Sequence, residues 1–411
     1  MKKKKKREPL SRDAKILLMV GILFLSGMTI AATFVNVYLI RLTDNMGLMI
    51  LQNVSNYIAL LGSFLFGTYY VKKGSILTLL KVGIVSSVIY YSLILLLQAE
   101  ASKYLIYLGI FNGIGMGMYY FAFNILVGKF TGEKHRATFF SYQTSFSYIF
   151  GVVAPMISGA IIVRYSELTG YYILFAFSVI VYILAIIISC LLKNVKFDEE
   201  YHVLPILKLK HNKYWDANRY YNFSFGLREA IYGQIFMVFA YIILNNEQII
   251  GNLNSAMSLI GVLSSIFIAS KFTLENQKKY HLWASIIYLI SIGTLAIVAK
   301  PWSLVMCFIL NGVILCWNSV IFQTMKYQLS SRAKDGFNDG DYIIACEFPT
   351  AAGRISGLLI FYGLNYFCGG FNLYRGLLLA VSFGLLIDHF VIDRKLHWME
   401  DEIIRETPQK S

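Results

Sequence analysis

The sequence is dominated by apolar runs, each about long enough to cross a membrane as a helix. Apolar residues make up 57% of the 411 residues, and a membrane-spanning helix needs about 20 of them in succession. Charged residues make up only 15%, against about 25% in soluble domains. This pattern predicts an all-α integral membrane protein with about twelve transmembrane helices, and it excludes a soluble multidomain enzyme.

Polar breaks between the apolar runs divide the chain into two halves of six predicted spans. We assign 1–15 to a basic N-terminus, 16–192 to the first half, 193–220 to a charged linker, 221–392 to the second half and 393–411 to a tail. The predicted spans are Ile16–Ile40, Met49–Val71, Leu77–Leu97, Tyr104–Val127, Phe139–Val163, Tyr171–Leu192, Tyr221–Leu244, Asn252–Ser270, Leu282–Val298, Ser303–Met325, Tyr342–Gly363 and Leu373–Val391.

The basic residues indicate how the spans are oriented. If the N-terminus is cytosolic, the predicted outer loops hold only Arg41, Lys103, Arg164, Lys300 and Arg375 among the 37 Lys and Arg. Most of the others then fall on the cytosolic side, as the positive-inside rule requires. We therefore expect both termini in the cytosol. The same distribution argues against nucleic acid as a partner, because the charge lies between spans rather than in one patch.

Matching spans of the two halves share short motifs, which indicates an internal repeat. The fourth span contains Phe111–Ile114 (FNGI) and the tenth contains Leu310–Val313 (LNGV). The fifth and eleventh spans share a proline followed four residues later by a glycine. These candidate helix-kink residues are Pro155 and Gly159 in the fifth span, and Pro349 and Gly353 in the eleventh.

Two six-span halves, a basic middle linker and repeated motifs resemble the major facilitator superfamily of secondary transporters. That family carries G-x-x-x-D-R-x-G-R-R between its second and third spans. This chain keeps Gly67, Lys72 and Gly74 as gating-loop candidates but has Val71 at the acidic position. Residues 154–159 (APMISG) resemble the family's antiporter motif G-P-x-x-G-G. The resemblance implies alternating access between the halves, and this motif mildly favours export.

Four charged residues fall inside predicted spans and well away from their ends, where ionisable groups are costly and indicate function. They are Arg228 and Glu229 in the seventh span, and Glu347 and Arg354 in the eleventh. Glu347 and Arg354 are seven residues apart, a long reach for a direct pair, so we expect partners across the two helices. One interpretation is proton coupling by an acid with an arginine counter-charge. The other is that the four residues form structural ion pairs only.

Polar stripes on spans one, four and ten are candidates for a substrate cavity, because the resemblance implies that these helices line it. The glycines Gly109, Gly113 and Gly117 of the fourth span instead predict close helix packing. The cavity candidates are Thr29, Thr33, Asn36, Asn112, Tyr120, Asn124, Asn311, Trp317 and Asn318.

We interpret the chain as a secondary transporter of a small polar or amphipathic molecule, with proton-coupled export preferred. Proton symport for nutrient uptake and flipping of a lipid or lipid-linked precursor stay open as alternatives. A membrane enzyme would need a catalytic group, and the one candidate is Asp388-His389-x-x-x-Asp393. A non-transporting scaffold is a further alternative, against which the intramembrane charges argue.

The remaining expectations concern partners and location. Five cysteines are scattered without a C-x-x-C and the six histidines form no cluster, so we expect no metal site and no cofactor. The expected partners are a small-molecule substrate, protons and the lipid bilayer, with the chain acting as a monomer. We expect a multi-pass protein of a bacterial plasma membrane.

Overall fold

The computed structural model describes residues 10–165, 168–194, 202–210, 212–272, 276–333 and 335–406. These ranges are almost entirely helical and contain no strand. The α-helices are α1 Arg12–Thr43, α2 Met46–Tyr70, α3 Ile76–Leu97, α4 Leu105–Arg164, α5 Thr169–Ser189, α6 Val203–Leu207, α7 Lys213–Leu244, α8 Glu247–Lys271, α9 Gln277–Val298, α10 Pro301–Arg332, α11 Asp339–Ala345, α12 Glu347–Cys368 and α13 Phe371–Glu406. A 3₁₀ helix, Gln98–Tyr104, joins α3 to α4.

Eleven helical segments in the described part of the chain are long and apolar enough to cross a membrane. One of them, Ile76–Thr131, has 56 residues and contains two of the predicted spans, in α3 and the first part of α4. These two helices pack side by side, since the Ser86 hydroxyl donates to the Phe111 carbonyl (2.6 Å). The prediction of an all-α membrane protein with about twelve helices is confirmed, whereas the cytosolic location of the termini stays a prediction.

The predicted polar break at 128–138 separates two apolar segments in the structure as well, although α4 stays helical through it. The chain nevertheless reverses there. Phe123 and Phe139 have ring centroids 6.1 Å apart, although sixteen residues of straight helix would separate them by about 24 Å. Helix α4 therefore supplies both predicted spans, four and five.

The chain forms two compact units, and the first contains Met1–Glu200 and Asn246–Ser255. A glycine seam on α4 packs against α2 in this unit. A methyl group at Gly113 would overlap the Asn56 carbonyl, and one at Gly117 would lie 2.6 Å from the Leu60 carbonyl oxygen. Because only glycine lets the helix backbones approach so closely, the packing interpretation of this seam is confirmed.

The second unit contains Tyr201–Asn245 and Ala256–Ser411. Its first long helix, α7, begins at Lys213 rather than at Tyr221, within the segment that we assigned to the linker. The Asn212 side chain caps it by accepting from the backbone N–H groups of Tyr214 (3.1 Å) and Trp215 (2.9 Å). Asparagine is a favoured N-cap residue, so the local sequence sets this earlier start. The predicted domain boundaries themselves stay predictions.

The predicted eleventh span is interrupted near its start. Helix α11 ends at Ala345, and α12 begins at Glu347 after Cys346. Pro349 lies in the first turn of α12, where its missing N–H leaves no hydrogen bond unmade. The break thus falls three residues before the proline that we expected to kink this span, and the kink itself stays a prediction.

Glycines also bring α7 and α12 together. A methyl group at Gly226 would overlap the Thr350 carbonyl, and one at Gly353 would overlap the Phe223 carbonyl. A third, at Gly357, would lie 2.8 Å from the Leu227 carbonyl oxygen. Backbone therefore contacts backbone along this crossing, and this contact positions the charged side chains described next.

Candidate functional site: a charged cavity in the second unit

The second unit contains a cavity of about 390 Å³. That volume lies within the range of about 300–1,000 Å³ usual for small-molecule sites. Phe225 and Phe322 stack on its wall with ring centroids 3.9 Å apart. Five charged side chains line it, namely Arg228, Glu229, Lys326, Glu347 and Arg354. All four charged residues singled out from the sequence therefore lie on one cavity.

The first ion pair joins α7 to α12. The Arg354 guanidinium contacts Glu229 Oε2 from Nη2 (2.6 Å) and donates to it from Nε (2.7 Å). The glycine seam holds these two helices in contact one turn away. This pairing is across helices, as expected from the seven-residue separation of Glu347 and Arg354.

The second pair contains a residue that the sequence reasoning missed. Lys326 Nζ donates to Glu347 Oε1 at 3.0 Å, and its side chain is buried. Our predicted tenth span ends at Met325, so Lys326 was counted with the cytosolic loop charges. Helix α10 instead continues to Arg332. The apolar residues that continue beyond Lys326 at helical spacing, Leu329 among them, were the available signal.

The third pair lies behind the cavity wall. Arg228 Nη2 contacts Asp388 Oδ2 at 2.5 Å, and both side chains are buried. Ser224 and Tyr220 donate to Asp388 Oδ1 at 2.6 and 3.3 Å. Asp388 therefore accepts three hydrogen bonds as the counter-ion of Arg228. Asp388 is the candidate acid of the enzyme alternative only, and this arrangement supports a charge-balancing role.

A glycine on α13 makes room for this third pair. A methyl group at Gly384 would overlap Arg228 Cδ and lie 3.0 Å from its Cγ. We expect Gly384→Ala to displace Arg228 from Asp388 and to lower the free energy of unfolding by about 1–3 kcal/mol, as overpacking does. Gly376→Ala on the same helix is the matched control, since nothing lies within 4 Å of its added methyl. Equal stability of the two variants, measured by unfolding in mixed micelles, would contradict this assignment.

His389, which directly follows Asp388 in sequence, pairs with a second buried histidine, His281. The Nδ1 atoms of His281 and His389 are 3.0 Å apart, and their rings stack with centroids 5.2 Å apart. Asp393, the last member of the candidate enzyme motif, has a side chain outside the described residues. In the described part of the chain, no group of three or more His, Cys, Asp or Glu side chains is placed to hold a metal ion.

The predicted cavity residues of the second unit do not all lie on the same cavity. Asn318 lines the charged cavity. Asn311 is fully buried, where it donates to the Tyr232 hydroxyl (2.9 Å). Trp317 lies against Phe267, with ring centroids 6.0 Å apart. Neither Asn311 nor Trp317 is among the residues that line this cavity.

The first-unit cavity candidates make mostly local contacts. Thr29 donates to the carbonyl of Leu25 (2.8 Å), and Thr33 donates to that of Thr29 (3.3 Å), both within α1. The Tyr120 hydroxyl donates to the sulfur of Met28 (3.6 Å). The other three are half-buried or exposed, namely Asn36, Asn112 and Asn124. Their role in a cavity stays a prediction.

The gating-loop candidates lie at the end of α2 and the turn that follows. A methyl group at Gly67 would lie 2.6 Å from the Phe121 ring, and one at Gly74 would overlap the Tyr70 ring. Both glycines thus make room for aromatic side chains. Lys72 is exposed in the turn. A gating role for these residues stays a prediction.

The kink candidates of the fifth span lie where α4 meets the start of α8, within the first unit. A methyl group at Gly159 would lie 2.6 Å from the Glu247 carbonyl oxygen, and one at Gly251 would overlap the Pro155 carbonyl. Arg41 pairs with Glu247 here (2.7 Å), and the Tyr171 hydroxyl donates to the same carboxylate (3.0 Å). The sequence reasoning missed this cluster, because Arg41 and Glu247 both lie in predicted outer loops.

Comparison with known sequences gives relatives but no family. No family model matches the chain. An uncharacterized Bacillus subtilis protein, YqgE, is 27% identical over 351 residues, which cover 84% of this chain and 81% of that protein. An uncharacterized protein from the sodM 3' region of Geobacillus stearothermophilus is 27% identical over 169 residues, 41% of this chain and 79% of its own length.

Comparison with solved structures identifies the fold. A point mutant of the nucleoside transporter NupG gives a TM-score of 0.72 at 11% identity, covering 93% of this chain and 99% of its own. A bacterial homologue of the iron transporter ferroportin gives a TM-score of 0.68 at 14% identity, and the match covers 94% of this chain and 99% of that one. A POT family transporter in complex with 5-aminolevulinic acid gives a TM-score of 0.70 at 10% identity, and the match covers 93% of this chain and 95% of that one.

The class that these structures define is the major facilitator-type fold, and the resemblance found in the sequence is confirmed at the level of fold. The chain is a multi-pass protein of the plasma membrane.

Proposed function

We propose that this protein is a secondary active transporter of a small polar or amphipathic molecule, which works by alternating access and couples export to protons. The observation that carries the proposal is the second-unit cavity lined by five charged side chains in a membrane-spanning fold. Such groups are costly at membrane depth and are kept where an ion or substrate passes.

Glu347 is the residue that we propose to carry the proton. Its carboxylate lines the cavity and pairs with Lys326. Protonation of Glu347 would leave the buried Lys326 ammonium without its counter-charge, and this loss favours a rearrangement of the site. The proton and the conformation are then linked, as coupling requires.

The test uses purified protein in proteoliposomes with an imposed pH gradient and a trapped pH-sensitive dye. The compound panel contains amino acids, dipeptides, nucleosides and amphipathic amines. We expect at least one compound to move protons in the opposite direction. Glu347→Gln should still exchange that compound between two loaded sides but should lose at least tenfold of its gradient-driven flux.

Glu100→Gln is the matched control, because Glu100 is an exposed acid that also pairs with a lysine, Lys103. It should transport like the unmodified protein. Gradient-driven flux retained in Glu347→Gln would contradict the proton role of Glu347. Proton movement in the same direction as the compound would instead establish symport, and absence of flux for the entire panel would contradict the transport proposal.

A further inference from the structure

The charges around the second-unit cavity balance one another, and this balance points to the kind of molecule that the cavity accepts. Arg354 pairs with Glu229, Lys326 with Glu347, and Arg228 with Asp388. Three cations thus meet three carboxylates, and the site has no net charge in its ionised form. A ligand with a net charge would leave an uncompensated charge in a poorly solvated site, which is unfavourable.

We propose that the cavity binds a zwitterion, a molecule with one ammonium and one carboxylate group and no net charge. This inference deepens the proposed transport function by naming the class of substrate. The ligand's ammonium would contact a glutamate of one pair, and its carboxylate would contact the basic residue of the other. Each added charge then meets an opposite one, and the site stays neutral as long as both glutamates are ionised.

The exposure of the paired side chains supports a direct contact with the ammonium group. The Glu229 and Glu347 side chains are 43% and 30% exposed, whereas those of Arg354 and Lys326 are 17% and 9% exposed. The carboxylates thus offer the more open surface, while Arg354 and Lys326 also line the cavity and can meet the ligand's carboxylate. The Arg228–Asp388 pair is more deeply buried still, so we assign it to charge balance rather than to ligand contact.

The spacing of the pairs sets the separation of the ligand's charges. Glu347 and Arg354 are seven residues apart on α12, so their backbones lie about 10 Å apart along the helix. We expect a ligand that contacts both pairs to have its ammonium and carboxylate several bonds apart, as in a short peptide or an ω-amino acid. The stacked rings of Phe225 and Phe322 provide an apolar wall for the part between or beside these groups.

The test measures binding to the purified full-length protein in detergent by titration calorimetry. The probes are alanyl-phenylalanine and 6-aminohexanoate, each compared with its N-acetyl, amide and doubly capped derivative. We expect at least one zwitterion to bind, and capping of either end to weaken its binding at least tenfold. A singly charged derivative that binds as tightly as its zwitterion, or no binding of either zwitterion to folded protein, would overturn the proposal.

Two variants assign the ends. Glu229→Gln should weaken binding of the zwitterion at least tenfold, because it removes the contact to the ammonium group. In this variant, N-acetylation of the ligand should then cause a smaller further loss of affinity than in the unmodified protein. Lys326→Gln should likewise weaken binding of the zwitterion at least tenfold, and in this variant conversion of the ligand's carboxylate to an amide should cause a smaller further loss of affinity. Glu100→Gln is again the control, and helix content with monodispersity establishes folding. If capping costs as much in both variants as in the unmodified protein, the residue assignment is wrong.

The binding test is independent of transport. Binding of the zwitterion without flux in proteoliposomes would contradict the transport function alone. Flux of another compound without zwitterion binding would contradict this inference alone.

Discussion

Asp388→Ala is expected to be among the most damaging substitutions in this protein. The change removes the counter-ion of Arg228, whose side chain is buried, and leaves the Ser224 and Tyr220 hydroxyls without their acceptor. Breaking a buried ion pair on one side costs about 3–5 kcal/mol. We expect that loss in the free energy of unfolding measured in mixed micelles, together with a lower yield of monodisperse protein.

The double variant Arg228→Met with Asp388→Leu tests whether the loss of stability comes from the unpaired charge or from the lost packing of the side chain. Replacing both partners of a buried pair with apolar residues is often neutral or stabilising. The double variant should therefore recover most of the stability lost in Asp388→Ala. If it is as unstable as the single variant, the damage does not come from the uncompensated arginine.

The second large effect is expected at the crossing of α7 and α12. Leucine at 353 would drive its side chain into the backbone at Phe223 and Leu227. Overpacking of this kind costs about 3 kcal/mol, and it would also separate Arg354 from Glu229. Gly353→Leu should therefore lose both stability and transport. Gly363→Leu on the same helix is the control, since nothing lies within 4 Å of an added methyl there. Similar stability of the two variants would refute the close packing.

The residues of this site that could be predicted from sequence are those whose charge is energetically unfavourable in their own apolar segment. Arg228, Glu229, Glu347 and Arg354 stand out because charge inside an apolar run is rare, and all four line one cavity. Their partners could not be predicted in the same way. Asp388 is 160 residues from Arg228, and the pairing depends on tertiary packing.

The misplaced boundaries have a common cause. Apolar runs locate the part of a helix inside the bilayer, whereas helices continue into polar sequence where caps and good helix formers allow it. Helix α10 continues past Met325 and so includes Lys326, and α7 begins at the Asn212 cap. Helix α4 stays helical across 128–138 although its direction changes there. The hydropathy of the sequence reveals none of these features.

The glycine seam between α7 and α12 has a kinetic consequence for the two ion pairs on the cavity wall. With backbone against backbone at Gly226 and Gly353, the two helices have no gap to close or open between them. With the helix backbones in contact, rotation of the two side chains is the simplest way for the Arg354–Glu229 pair to break. The Lys326–Glu347 pair joins α12 to α10 instead, and helix shifts of microseconds to milliseconds act on such contacts. We therefore expect the first pair to be made and broken without movement of the helices, whereas the second also depends on how α10 and α12 lie relative to each other.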